Sequence, residues 1–346
     1  MGNSSESFPG RNMYLGVGIQ SGVGSSATVY SFMQPSEVTG GLEEFAMIDS
    51  ARRLSTRFKG TGYVGTKQVP LGFTVEASPQ AVGRLLKLAF GAEIASSVVA
   101  GVYGRHKYYP SEELPYGTIL LYAAGVADET GIDKTIKVTD WKCTKLTIKG
   151  GVDDIVTLQV EGIGAARTAV YPSSYTTPTF TTVQPLFMNS AVGTGVLLIG
   201  TSEATPTVAF EEARSFEITI EHGVKADHRI HGSNAAIAMR EGDSSITGTY
   251  SAVYNGVSFG EINKFQAGTA RAMKLSITSV EAIGPATSET YDMIVETLRS
   301  KYSGGNPSWD ADQITVELPF TAELASSQAV TVTILNNVTS EYTYSV

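Results

Sequence analysis

Apolar and polar residues alternate with a period of two in many short segments, and this alternation is the strongest constraint on the fold. Residues 144–149 and 156–160 alternate on either side of a Gly- and Asp-rich turn at 150–154. This pattern predicts an antiparallel hairpin with one apolar and one polar face. The same alternation recurs in the second half of the chain, at 216–221, 273–278, 314–318 and 330–334. The sequence therefore predicts a mainly β protein with few helices.

Two segments have the pattern of a helix. Residues 78–90 place Ser78 at a favourable N-cap position, carry an apolar stripe and end before Gly91. Residues 258–265 form a shorter candidate that ends before a glycine. Its apolar residues are expected to face inward: Phe259, Ile262 and Phe265. Residues 288–301 fit a helix and a strand equally well.

The two halves of the chain share an order of elements. In each half a strand precedes a helix and a glycine, and an alternating strand with lysine on its outer face follows. This order predicts a duplicated α+β unit. We expect a first domain with an N-terminal arm at 1–167, a Pro/Thr/Ser-rich linker at 168–205 and a second, acidic domain at 206–346. Each is expected to be an antiparallel β-barrel or β-sandwich with a flanking helix.

Charge is sparse and uneven along the chain. Charged residues make up 17% of it, against about 25% in typical soluble domains, which favours a subunit that buries surface in an oligomer. Residues 1–173 hold 16 of the 25 basic and 16 of the 34 acidic residues, so the net charge of −9 lies in residues 174–346. An acidic protein binds nucleic acid poorly, because phosphate contacts need Lys and Arg.

Several classes of protein are disfavoured by the sequence. The longest stretch without charged residues, 168–202, contains three prolines and is not expected to form a bilayer helix. The first ten residues do not resemble a secretory signal, so synthesis in the cytosol is expected. The single cysteine, Cys143, excludes an internal disulfide framework.

Motifs for catalysis or cofactor binding are not found. The pair His228 and His231 lies in a polar segment without further ligands at metal-binding spacing. Adjacent acidic residues, such as Asp153–Asp154 and Glu211–Glu212, point to opposite faces of a strand and do not form a glycosidase pair. We therefore expect no enzyme activity, no cofactor and no metal.

A basic cluster contains Arg53, Arg57 and Lys59, which alternate on one face of a predicted strand. We expect this face to contact acidic residues of a neighbouring subunit. Tyr63 and Lys67 belong to the same predicted hairpin and are included in the expected contact region.

The order of several segments resembles the tail tube (major tail) proteins of long-tailed bacteriophages. It begins with the glycine-rich segment 12–22 and continues through Arg57-Phe58-Lys59-Gly60, a strand, a helix and a closing strand. The segments that carry this resemblance are 12–22, 57–60, 69–75, 78–86, 267–271, 317–320 and 330–336. The resemblance implies a β-barrel or sandwich subunit whose closed rings stack into a hollow tube for the genome.

The resemblance also implies partners and a location. The expected partners are further copies of the chain, the tape-measure, tail terminator and distal tail proteins, and double-stranded DNA that passes through without specific binding. The expected location is the virion tail, after synthesis in the host cytoplasm. Tubes of this family present six domains around the axis, so two domains per chain predict three chains per ring, and one domain predicts six. The acidic residues Asp153, Asp154, Glu211 and Glu212 are candidates for the lumen or its rim.

Two other functions remain open at this point. One is a tube or surface-array protein of another assembly, such as a contractile injection machine. The other is a carbohydrate-active or carbohydrate-binding β-protein, which would need aromatic residues that converge on a groove.

Overall fold

The computed structural model describes residues 13–48, 63–99, 103–127, 133–170, 180–188, 191–230, 233–284, 288–310, 312–325 and 328–343. The expected N-terminal arm lies outside these ranges. The strands are β1 Met13–Ile19, β2 Tyr30–Met33, β3 Pro35–Gly40, β4 Glu44–Ile48, β5 Tyr63–Glu76, β6 Gly91–Val99, β7 Tyr103–Pro110, β8 Gly117–Ala127, β9 Asp133–Gly151, β10 Asp154–Ile155, β11 Thr157–Gly164, β12 Ala166–Val170, β13 Phe187–Met188, β14 Gly193–Thr201, β15 Val208–Ala209, β16 Ala213–His222, β17 Lys225–Asp227, β18 Ala238–Arg240, β19 Ser244–Val253, β20 Arg271–Ala282, β21 Thr290–Tyr302, β22 Pro307–Ser308, β23 Thr315–Ala322 and β24 Thr331–Asn336. The helices are α1 Gly83–Phe90 and α2 Gly256–Gln266.

The named strands pair in antiparallel fashion: twenty of them form a continuous hydrogen-bonded network, and β10–β13 and β17–β18 form two separate pairs. A central sheet has the order β3–β5–β11–β9–β16–β19–β23. The first half of β9 leaves this sheet and joins a second one, β2–β1–β8–β9–β12. A third sheet, β6–β7–β24–β21–β20–β14–β15, connects to β23 through the end of β21. One apolar core extends through both halves of the chain. The predicted mainly β, sandwich-like fold is therefore confirmed, with open sheets rather than a closed barrel.

The two halves repeat one pairing scheme. In the first half β1 pairs with β2 and β8, β5 pairs with β3 and β11, and β9 pairs with β8, β11 and β12. In the second half β14 pairs with β15 and β20, β19 pairs with β16 and β23, and β21 pairs with β20, β23 and β24. Each of these first-half pairings thus has a counterpart in the second half, in the same chain order, whereas the pairs β4–β5 and β6–β7 are not repeated among the described residues. The helices follow equivalent strands, α1 after β5 and α2 after β19.

The register repeats as well as the topology. A register shift separates Pro35 from Glu37 in β3, and the equivalent shift in β16 separates Ala213 from Ser215. The pairing of β8 with β9 shifts just after Gly117, and that of β20 with β21 shifts at the equivalent position. Because a bulge inserts one extra residue at a defined place in a strand, matched bulges align the two halves residue by residue.

Two strand pairs join the halves. β9 pairs with β16 in the central sheet, and β24 pairs with β7. The hairpin β6–β7 has no counterpart among the described residues of the second half. Strand β14 lies inside the segment predicted as a linker and pairs along its length with β20. The division of the chain into two domains stays a prediction.

The predicted hairpin is observed. β9 pairs with β11 so that Leu146 lies opposite Val160 and Ile148 opposite Leu158, and these four side chains are buried. Asp153 adopts a positive φ of 62° in the turn, a conformation that Asp tolerates better than most residues.

Helix α1 begins later than the sequence predicts. Ser78 does not cap it, because its hydroxyl donates to the carbonyl of Val183 and residues 79–82 form a turn. The helix starts at Gly83, after Val82, and ends at Gly91, where φ is 85° as a glycine stop requires. The predicted apolar stripe is buried in the core.

Helix α2 is longer than predicted and less buried. Its N-cap is Asn255, whose side chain accepts hydrogen bonds from the amides of Val257 and Ser258. Ile262 faces inward as expected, but Phe259 and Phe265 are 48% and 36% exposed, so the inward orientation predicted for these two was wrong. The ambiguous segment 288–301 lies in strand β21, which has partners on both edges.

Candidate assembly surfaces

The central sheet has one apolar and one polar face. Its apolar face contributes Leu146, Ile148, Ile218 and Ile220 to the core. The opposite face, here called the polar face, is formed by the alternate residues of the same strands and is largely exposed. A sheet that is solvated on one side is typical of antiparallel architecture.

Carboxylates dominate the polar face. Six glutamates and two lysines project from it, a net charge of −4: Glu37, Glu76, Glu161, Glu217, Glu221 and Glu317, with Lys145 and Lys149. The strands of the second half contribute glutamates without a lysine. This distribution follows the uneven charge of the whole chain.

Polar side chains also contact each other across the β9–β16 pair, which joins the two halves. The Thr147 and Thr219 hydroxyls are 2.9 Å apart and both are buried. Next to them the Lys145 ammonium lies 3.5 Å from the Glu221 carboxylate. Cross-strand contacts of this kind contribute about 0.2 to 1 kcal/mol each. The apolar contacts on the other side of the sheet therefore account for most of the stability of this junction.

The hairpin β17–β18 covers one end of the polar face. Lys142, which is buried, forms an ion pair with Glu241 and lies over the ring of Tyr116, with 4.2 Å between the ammonium and the ring centroid. Burial acts to raise the pKa of Glu241, but hydrogen bonds from Lys142 and the Leu114 amide outweigh it, so the pKa is lowered overall. The charge of Lys142 is therefore balanced by Glu241 and does not add to the charge of the open part of the face.

The predicted acidic residues lie together at one end of the central sheet. Asp153 lies in the turn after β9 and Asp154 begins β10, and Glu211 and Glu212 lie in the segment before β16. The two segments are adjacent, because the amide of Val152 donates to the carbonyl of Arg214 at 2.8 Å. The four predicted residues therefore lie at the edge of the polar face, and the glutamates on the face itself were not among the predicted site residues. Their alternation with buried apolar residues is the signal that could have found them.

A hairpin of β4 and β5 carries the described part of the predicted contact region. Lys67 forms an ion pair with Glu43 at 2.9 Å, so its charge is compensated within the chain. Tyr63 is 63% exposed and lies opposite Ile48. Phe45, Met47 and Val64 are also exposed on this hairpin. Arg53, Arg57 and Lys59 lie outside the described residues.

A buried polar network fixes the C-terminal segment on α1. Glu93 and His106 are both buried, with 2.7 Å between Oε1 and Nδ1. The other Glu93 oxygen accepts a hydrogen bond from the amide of Tyr342 at 3.1 Å, and the ring of Tyr342 covers Gly83. Sequence periodicity does not predict this network, because it joins residues more than 200 positions apart.

The described residues contain no group of three or more His, Cys, Asp or Glu side chains arranged to hold a metal ion; His231 lies outside them. Within the same ranges, neither helix has the length and apolar composition that a membrane crossing demands.

Comparison with known proteins identifies the family. The family model described as phage tail tube protein matches residues 10–322, which is most of the chain. The chain therefore belongs to the phage tail tube protein family, as its segment order suggested. It is a structural component of the virion tail and not an enzyme. A search of curated proteins finds no match.

Proposed function

We propose that the chain closes into rings of three, and that these rings stack into the tube that conducts genomic DNA. The observation that carries the proposal is the repeated pairing scheme within one chain. Two equivalent units joined head to tail by β9 and β16 form one third of a pseudo-sixfold ring. The remaining contacts would be made by further copies, and assembly would follow synthesis in the host cytoplasm.

The polar face is proposed as the lining of the bore. DNA carries one negative charge per about 1.7 Å of its axis, so a basic wall would hold it with a dissociation constant of about 10⁻⁴ to 10⁻⁶ M per site. A wall with a net charge of −4 per chain repels the duplex instead. The acidic group at Asp153, Asp154, Glu211 and Glu212 would extend this charge to the rim.

The β4–β5 hairpin is proposed as the contact between stacked rings. It exposes Phe45, Met47, Tyr63 and Val64, and exposed apolar groups of this kind mark interaction surfaces. The basic residues Arg53, Arg57 and Lys59 are proposed to extend this contact toward an acidic neighbour. The tape-measure, tail terminator and distal tail proteins are the proposed partners inside the tube and at its ends.

The ring is tested by native mass spectrometry and electron microscopy of the purified chain. We expect a particle of three times 36.6 kDa and hollow rings or tubes with six lobes around the axis. A particle of six chains would refute the stoichiometry. A protein that stays monomeric at every concentration, and that tail extracts do not recruit, would refute the function itself.

The acidic wall is tested by reversing its charge. Glu161→Lys, Glu217→Lys and Glu317→Lys together change the face from −4 to +2 per chain, or +6 in a ring of three. We expect rings of this variant to bind a short duplex and protect it from nuclease. With about six phosphates neutralised, affinity should fall by about three decades between 50 and 200 mM salt.

The matched control places the same three charges elsewhere. Glu112→Lys, Glu113→Lys and Asp243→Lys change exposed residues outside the polar face. We expect no nuclease protection from this control or from the wild type. Equal protection by both variants would show that the polar face does not line the bore.

A further inference from the structure

The central sheet ends in two edges that the chain itself leaves open. At one end β3 pairs with β5, and at the other β22 pairs with β23; in the described part of the chain the outer edge of each has no partner strand. An open edge presents unpaired amide and carbonyl groups and is a template for another strand.

The internal repeat identifies what these edges are. β3 is equivalent to β16, because each pairs with the strand before a helix and each carries a bulge at the same place. The segment that contains β22 is equivalent to the second half of β9. Pro307 pairs with Val316 as Ile148 pairs with Leu158, and Tyr302 pairs with Phe320 as Cys143 pairs with Gly162. The two open edges are therefore the counterparts of the two strands that join the halves.

We propose that β3 of one copy pairs with the 307–310 edge of the next, in the antiparallel register that β16 adopts on β9. This inference rests on the proposed ring and specifies the strand pair that joins neighbouring chains, here called the seam. It commits to a second copy of this chain as the occupant, because the seam continues a sheet that the chain has already built once. The proposed pairs and their intrachain templates are Thr39 with Ser308 (Glu217 with Lys149), Val38 with Trp309 (Phe216 with Gly150), Gly40 with Pro307 (Ile218 with Ile148) and Glu37 with Asp310 (Ser215 with Gly151).

Exposure at the open edge agrees with a missing neighbour. Trp309 is 73% exposed, and its only ring contact among the described residues is with Tyr254. Its proposed partner Val38 is half-buried and packs against the core. The template for Val38 is Phe216, which is 4% exposed where the β9–β16 junction is complete. Pairing with a second copy would bury Val38 as Phe216 is buried and would place it opposite the indole of Trp309.

The residue types at the 307–310 edge and on β3 favour a specific contact over indiscriminate strand addition. Pro307 interrupts the edge, and Gly304 and Gly305 lie shortly before it. Short, broken edges of this kind resist indiscriminate strand addition. Glu37 and Asp310 place like charges at one end of the seam, so the contact is expected to tighten as salt screens them.

The seam is tested with engineered cysteines at its central pair. Thr39→Cys and Ser308→Cys in one chain place two thiols directly opposite each other across the seam, within disulfide range for an antiparallel pair. Cys143 does not interfere, because burial raises the pKa of its thiol to about 12. Glu217→Cys with Lys149→Cys is the positive control, and it should form the equivalent bond within one chain. Ser308→Cys with Ser245→Cys is the matched negative control.

The readout is a denaturing gel without reductant, run on rings or tubes after mild oxidation. We expect a ladder that ends at three chains for the seam pair, and monomers for both controls. Monomers from seam-pair particles that microscopy shows to be rings or tubes would overturn the seam and leave the tube function standing. A wild-type chain that never assembles would overturn the proposed function, and the seam with it.

A second pair of variants covers the case in which the cysteine variant does not assemble. Thr39→Lys with Ser308→Lys places like charges across the seam, whereas Thr39→Glu with Ser308→Lys reproduces the template pair of Glu217 and Lys149. We expect the first variant to need about tenfold more protein to assemble than the second. Equal thresholds would overturn the seam. The unfolding temperature of the monomers should be the same, since both positions are exposed.

Discussion

Asp292 provides a quantitative test of the structure, because its carboxyl group is buried on β21 without full compensation. Its Oδ1 atom is buried and has no hydrogen-bond partner among the described residues. Burial raises the pKa of Asp292 from 3.8 to about 6, and the nearby positive charge of Arg105 opposes the shift only in part. The folded state therefore favours the protonated form.

The shift converts into a pH-dependent loss of stability. A change of about two pKa units corresponds to about 3 kcal/mol of unfolding free energy. This contribution is present in full below pH 4 and is lost as the pH rises through 6, because the folded protein must then bury a carboxylate. At neutral pH the unfolding free energy of the native chain should therefore be lower by nearly this whole amount.

Asp292→Asn removes the charge and keeps the shape of the side chain. Urea unfolding of the monomer at several pH values should show the variant about 2 to 3 kcal/mol more stable than the wild type at pH 7.5. The difference should shrink to within about 0.5 kcal/mol at pH 4. Asp310→Asn, at an exposed position, is the matched control and should change little. A difference that is independent of pH, or a destabilised variant at pH 7.5, would refute the reasoning.

Two further predictions concern the packing of the C-terminal segment on α1, and a glycine on α2 serves as the control for the first. Gly83→Ala should lower the unfolding free energy by about 1 to 3 kcal/mol, since the added methyl would overlap the ring of Tyr342. Gly260→Ala, on α2 with open space around it, should instead stabilise the protein by up to about 1 kcal/mol. Chemical denaturation that finds Gly83→Ala more stable than Gly260→Ala would contradict both predictions. His106→Ala should cost about 3 to 5 kcal/mol, because it removes the ring from between the buried Glu93 carboxylate and the Val338 carbonyl and leaves Glu93 with only the Tyr342 amide and the more distant Lys87 ammonium. Adding Glu93→Gln should recover part of that loss in the same assay. If it recovers nothing, the loss does not arise from the charge of the Glu93 carboxylate.

Alternation predicted the strands well, because a half-buried strand needs apolar residues on one face only. It placed Leu146, Ile148 and Val160 in the core correctly. It did not predict which strands pair, since alternation fixes the face of a strand and not its neighbour. The β9–β16 pair joins residues about 70 positions apart, and this distance in sequence carries no local signal.

The errors at the helices have local causes. Ser78 is a favourable cap by type, but the tertiary structure uses its hydroxyl for the Val183 carbonyl instead. Phe259 and Phe265 were expected inside because they share a stripe with Ile262, whereas α2 lies at the surface and buries only part of that stripe. Periodicity shows that a helix has an apolar side and does not show how much of it another element covers.

The surface on which a charged residue lies depends on strand pairing as well as on alternation. The turn at Asp153 and the acidic segment at Glu211 were named together as candidates for the lumen or its rim, and the fold places the two segments side by side. Glu217 lies in the alternating segment 216–221 and was not named as a site residue, because the sequence does not reveal that this strand lies in the centre of a sheet. The roles of these residues in assembly stay predictions.

The covalent link between the two halves has a kinetic consequence for the proposed ring. Three of the six seams around the axis are already made when each polypeptide folds, so a ring needs two encounters between separate molecules instead of five, and its last seam closes within one particle. Fewer encounters mean fewer partial arcs that can stall or deplete the pool of free subunits, as tethering raises the effective concentration of joined binding units. The tether also lets the two alternating positions diverge in charge, which a ring of six identical chains does not permit.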